Sequence, residues 1–381
     1  MGNHFAAEVS LEHEVYYPGN VVRGEATIKI DKPMSCIAAR IMCRGLERAV
    51  VVRNTGDYSH SVFEDTVFYK ETLTLFGHPT KDADATPIEV PPGVYTYPFA
   101  FQLPMHLPES LHSANWTAGG AEIKYQVIAY AKLDKDLVDE GHHDFTVVVP
   151  INKQDMLKAP PVEASATAKL TKFFMDKGSC DFKVSLPRSL YAADDVIAGE
   201  LFIDNTNGQI DVCGPKIGVK SEIDVAVSER CSGVTGGIRG CNIDKALSSK
   251  KLDAAVPHGQ TKAVPFKVSL PHTLPMTSYP AHGCNVLLTH LLTAEVAGKT
   301  VQVPIHLAHC ADEQNRFEFI PMNQITHKPH YKDTEHAYVA PAGYVASPCE
   351  AMQPPASLKP QEPPVAVTPQ AVGNGQLHAT H

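Results

Sequence analysis

The chain has 381 residues, more than a single hydrophobic core usually serves, so we expect two domains of roughly 150 residues each and an additional segment. A formal net charge of −9 argues against affinity for nucleic-acid phosphates, and no nucleic-acid partner is expected. No apolar run approaches the roughly 20 residues of a membrane-spanning helix, which predicts a soluble, cytoplasmic protein. The 30 prolines and 25 glycines favour turn-rich β structure over helices.

The N-terminus begins like an N-myristoylation signal, which makes Gly2 a candidate lipidation site. The motif prefers Ser or Thr where this chain has Ala6. A single acyl chain would give only peripheral, reversible membrane contact.

The nine cysteines are scattered and odd in number, and none forms the C-x-x-C pair of a zinc site. They are predicted to be reduced and mostly buried. We expect no metal and no cofactor.

An internal repeat defines the domain plan. Tyr16 and Gly24 recur as Tyr191 and Gly199, each 175 positions later. A second block containing Leu103-Pro104 returns at Leu270-Pro271, 167 positions later. The order of the blocks is preserved, so we interpret the chain as a duplicated unit whose copies differ in loop length.

Each copy is predicted to be all-β because apolar residues alternate with polar ones. The alternating runs are Tyr95 to Leu103, Ile217 to Val227 and Val301 to Leu307. A strand with one buried face must cover it with a second sheet, which predicts two tandem immunoglobulin-like β-sandwich domains.

The predicted boundaries follow from composition. Residues 1–152 form the first sandwich, and residues 153–168, with Pro160-Pro161, form a linker. Residues 169–311 form the second sandwich. Residues 312–381 contain many prolines and few aliphatic clusters, which predicts a flexible tail.

Several motifs resemble those of the arrestin superfamily, especially its alpha-arrestin group. Residues 17–24 (YPGNVVRG) resemble the family's entry hairpin, and residues 97–104 (YPFAFQLP) resemble its F-P-F-x-F-x-L-P stretch. Residues 123–127 (IKYQV) are similar to the strand that follows. The second-copy residues 191–203 resemble the entry of the family's C-terminal domain. The resemblance implies arrestin N-terminal and C-terminal β-sandwich domains.

The sequence contains no H-E-x-x-H, G-x-S-x-G or P-loop motif, and we predict a non-enzymatic protein without catalytic residues. The glycine-rich residues 236–240 could cradle a phosphate, but a hairpin insertion is favoured because no strand and helix flank them as that site requires. His142-His143 beside Asp144 could bind a metal. Adjacent strand residues point to opposite faces, so a solvated loop is favoured instead.

A two-sandwich protein without an active site is expected to work by binding partners on its surface. The resemblance implies an adaptor for protein transport that binds cytoplasmic segments of membrane proteins and routes them into endocytosis or endosomal sorting. It also implies recruitment to the plasma membrane or endosomes, with ubiquitin-ligase or endosomal sorting factors as partners.

Two departures from the family bear on the predicted function. The tail lacks the Pro-Pro-x-Tyr that WW domains recognise, although Pro329 and Tyr331 keep half of it and form a degenerate candidate ligand. The first-strand residues 5–8 contain no paired lysines, so phosphate-triggered activation is not supported.

Two alternatives stay open at this point. The first is a retromer-type coat subunit of arrestin-like fold, which would act within a stable coat. The second is a β-sandwich hydrolase or a carbohydrate-binding protein, which would require a deep pocket lined by convergent polar groups.

Overall fold

A computed structural model describes residues 5–55, 58–78, 86–105, 107–112, 119–133, 137–192, 195–235, 237–243, 248–270, 285–311 and 334–337. The candidate residues Gly2, Pro329 and Tyr331 lie outside these ranges, as does most of the predicted tail. Among the described residues, no helix has the length and apolar character needed to cross a membrane.

The first half is a two-sheet sandwich. Its strands are β1 (Phe5–Leu11), β2 (Val15–Tyr16), β3 (Val21–Ile30), β4 (Met34–Cys36), β5 (Ala38–Thr55), β6 (Tyr58–Gly77), β7 (Ile88–Val90), β8 (Gly93–Gln102), β9 (Leu111–His112), β10 (Gly119–Lys132) and β11 (Leu137–Val147). One sheet has the order β1-β3-β8, and the facing sheet has the order β2-β11-β10-β5-β6. Short strand β9 pairs with β10, and β4 pairs with β7.

The second half repeats this plan. Its elements are β12 (Pro150–Asn152), α1 (Lys153–Lys158), β13 (Val162–Lys172), β14 (Met175–Leu186), β15 (Leu190–Ala192), β16 (Val196–Asp204), β17 (Val212–Cys213), β18 (Lys216–Val227), α2 (Glu229–Ser232), β19 (Ile238–Ile243), β20 (Ser248–Lys251), β21 (Ala255–Val256), β22 (Thr261–Ser269), β23 (Val286–Val296) and β24 (Lys299–Ala311). The sheets have the orders β13-β14-β16-β22 and β12-β24-β23-β18-β19. Strand β15 pairs with β24, β20 pairs with β18, and β17 pairs with β21. The predicted all-β fold is confirmed.

The repeated residues occupy equivalent places in the two halves. Tyr16 on β2 pairs in parallel with Val147 on β11, the last strand of the first sandwich. Tyr191 on β15 pairs in parallel with Leu307 on β24, the last strand of the second. Both tyrosines are buried, because each closes the end of its sandwich where a short strand joins the last long one.

The repeated glycines have the same role in both copies. Gly24 pairs with Phe99 across β3 and β8, and Gly199 pairs with Phe266 across β16 and β22. A Cβ atom at Gly24 would collide with the carbonyl oxygen of Ser10 and the Phe99 ring. A Cβ atom at Gly199 would meet the equivalent Ser185 oxygen and the Phe266 ring, at 2.7 and 2.6 Å. Glycine is therefore required by the close approach of neighbouring chains.

Strands β18 and β23 contribute to both hydrophobic cores. Near Ile217 and Leu292 their inward side chains lie in the core of the second sandwich. Further along, Ile223 and Leu288 pack into the core of the first sandwich. Between these two stretches, a 2.7 Å hydrogen bond joins the buried Ser221 Oγ and His290 Nδ1. The two sandwiches therefore share a pair of strands.

Polar contacts reinforce this junction. Glu47 is 1% exposed, and its Oε1 accepts a hydrogen bond of 3.0 Å from the backbone N–H of Asn285. The Asn285 amide donates to Thr66 Oγ1. Glu64 Oε2 accepts from the backbone N–H of Ser228 at 2.6 Å. Carboxylates of the long β5–β6 hairpin thus bind backbone donors of the second sandwich.

The segment between the sandwiches is more ordered than the predicted linker of residues 153–168. Asn152 caps helix α1 by accepting the Gln154 backbone N–H, and Met156 of that helix is buried. Strand β13 begins at Val162 and pairs with β14. Its small alternating side chains, such as Ala164 and Ala166, pack against the core although they have little apolar surface.

The cysteine prediction was only partly right. Cys36, Cys43 and Cys180 are buried and reduced. Burial raises the pKa of the Cys36 thiol to about 11, which makes it a poor nucleophile. Three other reduced cysteines, Cys213, Cys231 and Cys310, are exposed because they lie on outward-facing or edge positions. The remaining three fall outside the residues whose side chains are described.

Candidate peptide-binding edge

The outer edge of β6 carries an added strand. Residues Thr334–Ala337 form strand β25, which pairs in parallel with residues 71–74 of β6. This segment is separated from β6 by more than 250 positions in the chain and lies within the predicted tail. An unpaired sheet edge presents free N–H and C=O groups, and β25 satisfies those of β6 by strand addition.

A buried arginine lies under this added strand. Arg40 on β5 is 2% exposed, and its Nη2 donates a 2.6 Å hydrogen bond to the carbonyl oxygen of His78. Its Nε lies 3.4 Å from Glu335 Oε1, which is an ion pair without hydrogen-bond geometry. Thr74 Oγ1 donates to the same Glu335 oxygen at 2.9 Å. Glu335 thus supplies negative charge to a buried cation.

Position on the sheet explains why these side chains converge. Arg40 pairs with Thr74 on β6 and with Tyr130 on β10, so the three residues form a row across the sheet. Burial raises the pKa of the Tyr130 hydroxyl, while the charges of Arg40 and Lys70 and a hydrogen bond to Arg40 oppose that shift. The row therefore places a positive charge, the partly desolvated guanidinium of Arg40, next to the edge strand of the sheet.

A second carboxylate lies beside β25. Glu71 has a pKa above its usual value because of burial, and the Tyr69 hydroxyl, which donates to Glu71 Oε2 at 3.2 Å, partly offsets this rise. His336 Nε2 lies 3.9 Å from Glu71 Oε1. Glu335 of the added strand therefore faces a cation of the sheet, and His336 lies near a carboxylate.

This arrangement can bind an extended peptide. Main-chain pairing along an edge strand supplies affinity, and pockets for alternate side chains supply specificity. At the β6 edge the specificity element is Arg40, which favours a carboxylate because an unpaired buried charge is costly. Neither Arg40 nor Glu335 was singled out from the sequence. A short segment such as Thr334–Ala337 shows no alternation that could have predicted strand pairing.

Residues 5–154 match the family model described as Arrestin (or S-antigen), N-terminal domain. The first sandwich is an arrestin N-terminal domain. The arrestin match covers the first sandwich, including β5, β6 and β10 of the edge site, and ends before β13. No curated protein matches the chain.

The paired histidines of this arrestin domain, considered from the sequence as a metal site, do not lie where we expected. His142 and His143 lie within strand β11, not in a solvated loop. His143 Nε2 contacts Glu14 Oε1 at 3.1 Å and its Nδ1 contacts the Val9 carbonyl oxygen, so it links β1, β11 and the turn before β2. Among the described side chains, no group of three or more potential ligands is placed to bind a metal ion.

The glycine-rich residues 236–240 fall at the start of β19, which pairs with β18 as a hairpin strand. Gly236 itself lies outside the described residues. The favoured interpretation of a hairpin insertion agrees with this pairing.

A shallow cleft beside Glu14, Ser110 and Lys124 of the arrestin domain is lined by both polar and apolar side chains. Ser110 Oγ accepts the Val147 backbone N–H at 2.9 Å, and Glu14 pairs with His143. These contacts join neighbouring strands.

Proposed function

We propose that this arrestin-superfamily chain is a non-enzymatic trafficking adaptor that binds extended cytoplasmic segments of membrane proteins at the β6 edge. The family match supports an adaptor role in general. We further propose that the second sandwich is the arrestin C-terminal domain, since its repeated tyrosine and glycine occupy equivalent positions. Recruitment to the plasma membrane or endosomes and contact with ubiquitin-ligase or sorting factors belong to the same proposal.

The observation that carries the proposal is the pairing of β25 with β6. A four-residue extended segment from a distant part of the chain adds to this edge in register from Glu71 to Thr74. The same backbone groups would accept another extended segment, because main-chain pairing depends little on side chains. A cargo segment would therefore compete with the chain's own residues 334–337.

Arg40 sets the chemistry of the competing segment. When β25 leaves, the buried guanidinium loses the Glu335 carboxylate that lies 3.4 Å away. Removing one partner from a buried ion pair is strongly unfavourable. A competing segment with Asp or Glu at this position is therefore favoured over a segment without an acidic residue there. The proposed cargo motif is thus an extended segment with an acidic residue aligned with Thr72 of β6.

The direct test uses the chain's own segment as the probe. Residues 334–337 are replaced by Gly and Ser in the full chain, and a labelled peptide of residues 331–340 is titrated by fluorescence anisotropy. We expect saturable binding, and a peptide with Glu335→Gln should bind about tenfold more weakly.

The matched control is Arg44→Gln, because Arg44 lies on the same face of β5 and bonds to Gln126 away from β25. Arg40→Gln should remove the preference for the Glu335 peptide, whereas Arg44→Gln should retain it. Equal affinity for both peptides in the parent chain would contradict the role of Arg40.

Cargo recruitment is tested in cells by proximity labelling. The full chain is compared with the Arg40→Gln and Arg44→Gln variants, and membrane proteins with acidic cytoplasmic segments should lose labelling only with Arg40→Gln. Stoichiometric partners that survive gel filtration and are unaffected by Arg40→Gln would instead favour a coat subunit.

A further inference from the structure

An apolar stripe lies on the outer face of the β5–β6 hairpin. Phe63 and Val67 on β6 are 60% and 46% exposed. They pair across the hairpin with Val50 and Leu46 on β5, which are 9% and 4% exposed, and these four residues are called the apolar stripe. Within the described ranges, the outer edge of β6 is paired only at residues 71–74. An apolar edge that faces water favours pairing with another chain.

The hairpin holds the apolar stripe in place. Arg48 and Asp65 join the two strands between the members of the stripe through hydrogen bonds of 2.7 and 2.6 Å. The Arg48 guanidinium also lies 6.0 Å from the centre of the Phe63 ring. On the opposite face of β6, Glu64 accepts the backbone N–H of Ser228 in the second sandwich. A surface anchored in this way loses little conformational entropy when a ligand binds.

The pairing of β25 sets the distance from the acidic position to the apolar stripe. Glu335 pairs in parallel with Thr72, and on the other side of β6 Thr72 pairs with Met42 while Val67 pairs with Leu46. Over this stretch β5 takes four residues and β6 takes five, because the register of the pair shifts. A regular strand on the outer edge of β6 also takes four. A longer segment in the register of β25 therefore places the residue four positions before its acidic one beside Val67, on the same face.

We propose that the apolar stripe is a second subsite of the β6 edge, which accepts a large apolar or aromatic side chain four positions before the acidic residue. The inference rests on the peptide binding proposed above and narrows its ligand to an extended segment with this spacing. The chain's own sequence has Tyr331 at that distance from Glu335. A ring packed against Phe63 and Val67 would remove apolar surface of both partners from water.

The test titrates peptides against the full chain in which residues 331–337 are replaced by Gly and Ser. A labelled peptide of residues 328–340 and its Tyr331→Ser form are compared by fluorescence anisotropy. We expect the Tyr331→Ser peptide to bind about tenfold more weakly, because it loses the burial of one aromatic ring. The Lys332→Ser peptide is the matched control and should bind like the parent peptide, since the next position along a strand points to the other face.

The spacing is tested with a peptide that carries Tyr331→Ser and Lys332→Tyr together. Moving the ring by one position turns it away from the apolar stripe, so the affinity should stay as low as for Tyr331→Ser alone.

Variants of the protein locate the subsite. Phe63→Ser/Val67→Ser should bind the parent and Tyr331→Ser peptides equally, because the surface that distinguishes them is gone. The matched control is Val15→Ser/Val94→Ser, which removes two side chains of the same sandwich that are 49% and 50% exposed. This control should retain the preference for the parent peptide.

Two results would overturn the subsite and leave peptide binding at the β6 edge in place. The first is equal affinity for the parent and Tyr331→Ser peptides while the preference for Glu335 is retained. The second is a tyrosine preference that survives in Phe63→Ser/Val67→Ser. Absence of binding by every peptide would refute peptide binding at the edge itself, and the subsite with it.

Discussion

Gly24 and Gly199 are equivalent residues whose missing side chains let neighbouring strands approach. Substitution by alanine places a Cβ atom against a backbone carbonyl, which cannot move without shifting its strand. We expect Gly24→Ala and Gly199→Ala each to destabilise the protein by roughly 1–3 kcal/mol, measured by urea denaturation.

The control for the two glycines is Gly93→Ala. Its Cβ would lie 3.3 Å from atoms of the Tyr95 ring, a side chain that can adjust. A loss of stability at only one of the two repeat positions would contradict their structural equivalence.

Phe173 and Phe174, which form the turn of the β13–β14 hairpin with φ angles of 52° and 63°, make a second prediction at the residue scale, on stability alone. A left-handed conformation costs about 1–2 kcal/mol for a residue with a Cβ atom, and Asn and Gly tolerate it best. We therefore expect Phe173→Asn/Phe174→Gly to raise the urea midpoint. Phe63→Ser, outside any turn, should not raise it. A lower midpoint for the double variant would show that the rings stabilise the fold.

At the scale of elements, the hydrogen bond between Ser221 and His290 stabilises the pairing of the shared strands β18 and β23. Ser221→Ala removes a 2.7 Å buried hydrogen bond at the point where the strands pass from one core to the other. The expected cost is about 1–3 kcal/mol in urea denaturation. Both sandwiches should still unfold in a single transition, because the strand pair belongs to both cores.

Ser165→Ala on strand β13 is the control, since Ser165 is exposed and its loss removes no buried bond. Two separate transitions in the Ser221→Ala variant, seen by different probes, would contradict the expected single transition and would show that this hydrogen bond, not the shared strands, couples the cores. Two transitions in the unsubstituted protein would contradict the shared-core interpretation.

The long alternating strands could be predicted from the sequence, and the short or polar ones could not. Tyr95, Phe99 and Leu103 alternate strictly, and all are buried as expected. Strand β13 escaped detection because its inward residues are mostly alanines, which give a weak apolar signal. Strand β25 has four residues and only a long-range partner, and such pairing leaves no local pattern.

The candidate site was missed for a related physical reason. Arg40 alternates with apolar neighbours like any solvent-facing residue, and only the distant Glu335 makes it a buried pair. The shared strands were partly visible, since Ile217 to Val227 form an alternating run in which Ser221 is the single polar inward residue. Their division between two cores depends on tertiary packing, which periodicity does not encode.

At the scale of the whole molecule, a histidine links the two sandwiches in a pH-dependent way. His309 Nε2 on β24 lies 3.0 Å from Glu109 Oε1 in the first sandwich, and Glu109 Oε2 also accepts the Val149 backbone N–H. The hydrogen bond to Glu109 raises the pKa of His309 above its ordinary 6.5, against an opposing effect of burial.

A raised folded-state pKa fixes the sign of the effect. The contribution of His309 is fully present below pH 6.5, the unfolded value, and is lost as pH rises through the raised pKa. His309 is 44% exposed, so solvent screening keeps the effect small. We expect the difference in melting temperature between the unsubstituted protein and His309→Gln to shrink as pH increases above 6.5.

The neighbouring His306 also affects stability in a pH-dependent way, but both proteins retain it. Burial lowers its pKa, so it destabilises the fold at acidic pH, and this effect cancels in the difference. A difference between His309→Gln and the parent that stays constant with pH would show that the Glu109 contact does not depend on charge.

Because strands β18 and β23 belong to both cores, the duplicated halves cannot be separated without exposing apolar surface. A chain ending before β13 would lose Ile223, Val225 and Leu288, and the apolar surface that they cover would face water. Such a fragment would aggregate, or would bind other proteins, through this exposed apolar surface. We therefore expect that neither of the duplicated halves folds stably without the other.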